Sequence, residues 1–328
     1  MWETILNIFS VTVISSVLAR AAPIIFASIG ETISERAGVI NLSVEGTMML
    51  GAMVGFAVAK TSNSLILGFL AAMVVGMAMA AIVAFSSITL RRDQVAVGFV
   101  LTMVGISLSS FLGTPYVRTP GLAVQPMPIP LLKDIPIIGP LFFDHEIVTY
   151  LSFVLIIVTW LWFYKTQPGL KLRGTGERPE AAFARGVNVV RLRYLYTLVG
   201  GALVGFGGAS YSLLVILGWS NRHTAQFGWI ALAIVIFGGW HPFRVAFGAY
   251  MFGLLQAAAT TLQQVMPGVP VQVFPLLPFP LMILTLVLFN SEWVGRLLSY
   301  LPAPARRAVA GILQSSPPAG LGAHFQQE

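Results

Sequence analysis

A carboxylate inside an apolar stretch is the first feature of this sequence with chemical potential. Glu45 lies in Gly38-Val39-Ile40-Asn41-Leu42-Ser43-Val44-Glu45-Gly46. At the centre of a membrane helix such a group costs about 2.5–3.5 kcal/mol on insertion scales, so it needs a partner or water. Asn41 precedes it by four residues, which on a helix puts both on one face. Arg20 sits in the preceding apolar run and falls at comparable depth if the chain turns near residues 31–37. The spacing therefore predicts a buried Arg20–Glu45 ion pair. Ser210, Gln256 and Thr260 interrupt other apolar runs. With Asn41 and Glu45 they form the expected lining of a path for a polar solute, because amides and hydroxyls both donate and accept. A structural ion pair and hydrogen bonds between helices account for the same residues.

The second constellation is Gly176-Glu177-Arg178-Pro179-Glu180-Ala181-Ala182-Phe183-Ala184-Arg185-Gly186-Val187-Asn188. Pro179 suits a first helical position and Gly186 the residue after a helix end. Two alanine-rich turns are too short to stand alone. They must dock on a surface, with Phe183 as apolar anchor and Arg185 as ionic one. A solvated basic loop that merely orients the chain is the other reading.

Catalytic chemistry has little to work with. The chain has no cysteine and four histidines, His145, His223, His241 and His324, none in an H-E-x-x-H pattern. Each lies at the end of an apolar run or in the tail, where a solvated imidazole is expected. There is no Gly-Lys pair for a phosphate loop and no G-x-S-x-G. The glycines at 200, 201, 205, 207 and 208 fall inside a hydrophobic run, where small residues let helices approach closely.

These residues need elements to hold them, and composition says which. Of 328 residues only 9% are charged and 56% are hydrophobic. Those values exclude a soluble enzyme, a disordered chain and a nucleic-acid binder. The formal net charge of +7 is carried in short loops, where it reads as a topology signal. Continuous apolar runs without period-2 alternation predict an all-α polytopic transmembrane bundle of about nine spans, eight to ten. The runs are 4–30, 38–59, 64–90, 94–113, 146–164, 194–218, 227–240, 245–266 and 274–290. The connections holding Arg36, Arg91, Arg92, the basic loop 165–193, Arg244, Arg296, Arg306 and Arg307 carry most of the Lys and Arg. That side should be cytoplasmic, with the C-terminus inside and the N-terminus outside. Met1-Trp2-Glu3 lacks the basic start of a cleaved signal, so the first run is expected to be retained. The transmembrane domain thus occupies 1–301. It includes an extracytoplasmic proline-rich loop at 114–145, where proline blocks helix interiors. Residues 302–328 read as a disordered cytoplasmic tail.

Three segments carry a resemblance. Residues 176–188 are similar to the cytoplasmic coupling loop of bacterial ABC-importer permeases, with Arg178 where asparagine is usual. Residues 30–46, Gly30-Glu31-Thr32-Ile33-Ser34-Glu35-Arg36-Ala37 followed by the Glu45 stretch, resemble a signature of the simple-sugar and nucleoside branch. Gly228-Trp229-Ile230-Ala231-Leu232-Ala233 through Gly238-Gly239-Trp240-His241-Pro242 resembles another segment of that branch. The resemblance covers about residues 15–290. It implies a multi-pass permease subunit in the bacterial cytoplasmic (inner) membrane, passing a nucleoside or simple sugar. It also implies three protein partners: an ABC ATPase subunit, a second permease forming a heterodimer, and an extracytoplasmic substrate-binding protein. The chain itself would bind no cofactor, ATP being used by the ATPase. Coupling would fall to Gly176, Glu177, Pro179, Glu180, Ala181, Ala182, Phe183, Arg185, Gly186 and Asn188. An ion-coupled secondary transporter is the alternative, with Glu45 and Arg20 as its only intramembrane charges. A scaffolding membrane protein is a third reading, which the polar faces of several runs disfavour.

Overall fold

The computed structural model describes residues 10–265, 268–270, 273, 276, 280, 283, 284, 317–323 and 325. Among these the chain is helical, with two isolated β-bridges and no strand. The first long helix, α1 (Val11–Arg36), begins at Ser10, whose hydroxyl accepts from the Val13 N–H. It is followed by α2 (Val44–Ser62), α3 (Leu65–Ala84, prolonged by a wider turn at Phe85–Thr89) and α4 (Gln94–Gly113). A short α5 (Ile138–Phe142) lies in the proline-rich loop. Then come α6 (Ile147–Lys165), α7 (Gln167–Glu177), α8 (Pro179–Ala184) and α9 (Val189–Ser210, prolonged at Tyr211–Val215). These are followed by α10 (Phe227–Phe237) and α11 (Pro242–Val265). Side-chain caps at Ser64, Asp93, Thr166 and Asn188 satisfy first-turn N–H groups at four of these starts.

Six of the helices are long and apolar enough to cross a membrane. The expectation of nine spans is not confirmed. The expected crossing at 227–240 is the eleven-residue α10, shorter than the roughly 20 residues a crossing needs. The expected span at 274–290 lies almost wholly outside the described residues. Helix α2, nineteen residues long, carries Glu45 and Lys60 near its ends.

The centre of the bundle is α9, packed against α1, α2 and α3. Its glycine face makes that possible. A Cβ on Gly30 of α1 would fall 2.6 Å from the Gly200 carbonyl oxygen, and one on Gly51 of α2 would fall 2.8 Å from that of Gly205. Backbones meet where side chains would otherwise hold helices apart. On the outside, α3, α4 and α6 expose large apolar residues such as Leu70, Val74, Phe99, Met103, Val154 and Ile157. That pattern matches a face toward lipid.

Two ends are distinct. The basic end gathers Arg36, Arg91, Arg193, Glu177 and α8. At the opposite end the proline-rich loop is tied down by backbone bonds, Val124 N to Leu213 O at 3.0 Å and Met127 N to His145 O at 3.0 Å.

The first expected span ends too early. Helix α1 continues through Glu31, Glu35 and Arg36, all buried. It stops because Gly38 takes a φ of +94° and its N–H bonds Glu35 O at 2.9 Å. Residues 37–43 are then non-helical. The Asn41 carbonyl Oδ1 accepts from the Ser43 N–H at 3.1 Å, an Asx turn that ends just before α2. Asn41 and Glu45 therefore do not share a helix face.

Candidate functional site

The break between α1 and α2 anchors a buried polar network. Glu31 Oε1 accepts from the Asn41 N–H at 2.9 Å, and Asn41 Oδ1 accepts from the Ser43 hydroxyl at 2.6 Å. The break is pinned to α4 as well, by Ile40 N to Gln94 Oε1 at 2.7 Å and Thr102 Oγ1 to Leu42 O at 2.8 Å. Glu35 accepts from the Trp240 indole N–H. Arg36 Nε donates to Trp240 O at 3.2 Å, and its Nη1 meets Glu177 Oε1 at 3.4 Å.

Glu45 completes the network at its inner end. Its carboxylate accepts from Gln226 N at 2.6 Å, Gly228 N at 2.8 Å and Trp229 N at 3.4 Å. These are the free N–H groups at the start of α10, where a negative charge also meets the favourable end of the helix dipole. A Cβ on Gly228 would collide with the Glu45 backbone, so glycine is required for the approach. The expected Arg20–Glu45 ion pair is absent. Among the described residues the one salt bridge is Arg36–Glu177. Backbone amides, reachable once α10 begins inside the bundle, take the place foreseen for the guanidinium.

At the basic end, α7 delivers Gly176 against the Arg36 carbonyl and Glu177 to the Arg36 guanidinium. The short α8 follows. Gly176 and Pro179 are buried and Ala182 is half-buried, whereas Glu180, Ala181, Phe183, Arg185, Gly186 and Asn188 are exposed. Asn188 also caps α9 through the Arg191 N–H at 2.9 Å. The tail, expected to be disordered, is docked in its described part. Gly320 N bonds Gly176 O at 2.8 Å, Gly322 N bonds Gly38 O at 3.1 Å, and Arg193 Nη1 donates to Ala323 O at 2.9 Å. Phe325 packs on Phe183, ring centres 5.7 Å apart. Glycines 320 and 322 permit that close backbone pairing, which a reading of composition overlooks.

The residues expected to line a path are split. Gln256 and Thr260 border a hollow of about 480 Å³ with Arg20, Ser16, Tyr211 and Gln263. Ser210 is buried and donates to Phe206 O at 2.7 Å. Asn41 and Glu45 belong to the buried network instead. Glu31 and Glu35 enter the sequence reading only as part of the resembling segment 30–46, and their burial was missed because the first apolar run ends at residue 30. Their i, i+4 spacing ahead of Gly38 was the available signal. The histidines are less solvated than expected. His145 and His241 are buried, and His324 lies outside the described residues. His223 is half-buried, its Nε2 at 2.9 Å from the Ser212 hydroxyl, and burial lowers its pKa.

Comparison with known proteins bears on the whole arrangement. A family model described as the permease component of the branched-chain amino acid transport system matches residues 13–286, which include all three segments of the network. A putative glucose ABC transporter permease protein of Haloferax volcanii is 38% identical over 76% of this chain and 77% of its own length. The nucleoside ABC transporter permease protein NupC of Lactococcus lactis is 31% identical, covering 86% of this chain and 93% of its own. The guanosine ABC transporter permease protein NupQ of Bacillus subtilis is also 31% identical, covering 89% and 94%. No solved structure matches the chain.

Proposed function

Because the chain belongs to the family of branched-chain amino acid transport system permease components, we propose that it is a membrane-spanning subunit of an ATP-driven importer that passes a nucleoside or simple sugar. The names of its relatives, for nucleosides, guanosine and glucose, support that cargo class. A separate ATPase docks on the exposed face of α8, at the basic end, and the bias of Lys and Arg toward that end supports a cytoplasmic position for it. A second permease chain and an extracytoplasmic binding protein complete the assembly. The chain holds no cofactor of its own, and ATP is used by the ATPase.

One observation carries this reading. A line of bonded groups joins the docking segment to the bundle interior: Glu177 to Arg36, Arg36 and Glu35 to Trp240 in the turn that follows α10, and Glu45 to the start of α10. Helix α10 is thus gripped at both ends by one segment, residues 35–45. A displacement of α8 is passed to α10 without crossing a flexible linker. The ion-coupled alternative loses its main support, because Glu45 is occupied in capping α10.

The test is Phe183→Asp, which puts a charge in the apolar centre of the docking face while leaving the buried network intact. In proteoliposomes with the ATPase and binding protein, uptake should fall at least tenfold and inserted protein should stay constant. Uptake at the wild-type level would refute ATPase docking on α8.

A further inference from the structure

We infer that Arg20 is the main hydrogen-bond donor to the cargo, and that it makes the path favour solutes rich in carbonyl or hydroxyl acceptors. The inference rests on the proposed importer reading and deepens it by giving the path a chemical preference.

Arg20 is nine residues into α1, about 14 Å along the helix from Val11 at 1.5 Å per residue. A guanidinium at such a position in a crossing helix persists where it meets protein, water or solute. Arg20 is exposed, and no carboxylate lies within ion-pair distance of it among the described residues. Glu45 is bonded to α10.

What Arg20 meets is space. It borders the 480 Å³ hollow and also a second one of about 290 Å³, whose lining includes Asp144 and Glu146, so it stands between them. The larger hollow is within the usual range for a small-molecule site. Its polar lining among the described residues, Ser16, Tyr211, Gln256, Thr260 and Gln263, contains hydroxyls and amides and no acid. Those groups donate and accept about equally. The guanidinium adds five donors and no acceptor. The excess of donors favours a cargo that offers acceptors, a nucleobase carbonyl or the oxygens of a sugar.

The hollow is also wired to the network. The Tyr211 ring packs on Phe227, centres 4.6 Å apart, and Phe227 follows Gln226, whose N–H holds Glu45. Movement of α10 therefore reaches the wall opposite Arg20.

The experiment measures uptake of guanosine and of glucose by proteoliposomes holding the complete transporter, with ATP hydrolysis recorded in parallel. For whichever solute the wild type imports, Arg20→Gln should cut uptake at least tenfold while hydrolysis stimulated by the binding protein changes less than twofold. Arg20→Lys should recover part of the loss. Arg20→Cys gives a second arm, since the chain has no cysteine of its own. Modification with an ammonium-bearing methanethiosulfonate should restore uptake, and the sulfonate-bearing reagent should not. Wild-type uptake by Arg20→Gln, or equal effects of the two reagents, would overturn the inference and leave the importer reading standing. No uptake of either solute by the wild type would overturn the cargo class on which the inference rests.

Discussion

The interior holds two polar regions, and they differ in what their groups face. Around the α1–α2 break, Glu31, Glu35, Asn41, Ser43 and Glu45 are buried and bonded mainly to backbone or to one another. In the far half, Arg20 borders open space, and Gln256 and Thr260 line the same hollow. The first region resembles the polar core of a machine part. Its bonds fix one arrangement, and leaving any of them unmade is costly. The second faces open space, whereas the atoms left without a partner in the first, Glu31 Oε2 and Asn41 Nδ2, are enclosed by protein. A polar residue in a membrane bundle is thus a pointer to function in two senses, and only its surroundings distinguish a residue that moves the protein from one that meets the cargo.

Breaking the first region should have the largest effect. Glu45→Leu strips three N–H groups at the start of α10 of their acceptor, each worth about 1–3 kcal/mol when buried and unpaired. We expect a clear fall in the thermal unfolding temperature in detergent and loss of uptake. Glu45→Gln, which keeps an acceptor oxygen, should lose less. The same cycle sharpens the comparison. Arg20 and Glu45 share no bond, so the stability effects of Arg20→Leu and Glu45→Leu should add within about 0.5 kcal/mol. A coupling of several kcal/mol would restore the ion pair and merge the two regions into one.

A smaller effect belongs to His241, at the turn between α10 and α11. Burial, with Arg244 and Arg36 nearby, pushes its pKa from 6.5 down to about 4. The Tyr164 and Phe243 rings flank it at 5.4 and 6.0 Å. The unfolded chain takes up this proton below pH 6.5 while the folded chain stays neutral. The contribution to stability is therefore full above pH 6.5 and is lost as pH falls toward 4. His241→Gln should flatten the decline of unfolding temperature over that window. An unchanged slope would assign the pH dependence to other groups.

Much of the basic end was legible in the sequence. Pro179, Gly186 and Asn188 mark the limits of α8 and the cap of α9 by local rules, and those rules hold here. The glycines of α9 were legible for the same reason, since close approach leaves a mark in composition. Glu45 drew attention correctly, but its partner could not be read. Backbone N–H groups have no letter in the sequence, and their availability depends on α10 starting inside the bundle. Asn41 was misplaced because an apolar run does not show where a helix pauses. Gly38 was the one residue that could have signalled it. Gln256 and Thr260 fell on the hollow and Ser210 did not, although the Thr260 and Ser210 hydroxyls both bond back to their own helices, so helix position rather than residue type made the difference.

The central claim is that the break network transmits work and the far hollow handles cargo, and the ratio of solute imported to ATP hydrolysed tests it most directly. Two variants, Glu177→Ala at the basic end and Gln256→Ala in the hollow, would be measured in the same proteoliposomes across a range of solute concentrations. The account predicts that Glu177→Ala lowers the ratio at unchanged KM, because the link to Arg36 is cut. Gln256→Ala should raise KM at an unchanged ratio. The opposite assignment, or one pattern for both variants, would contradict it.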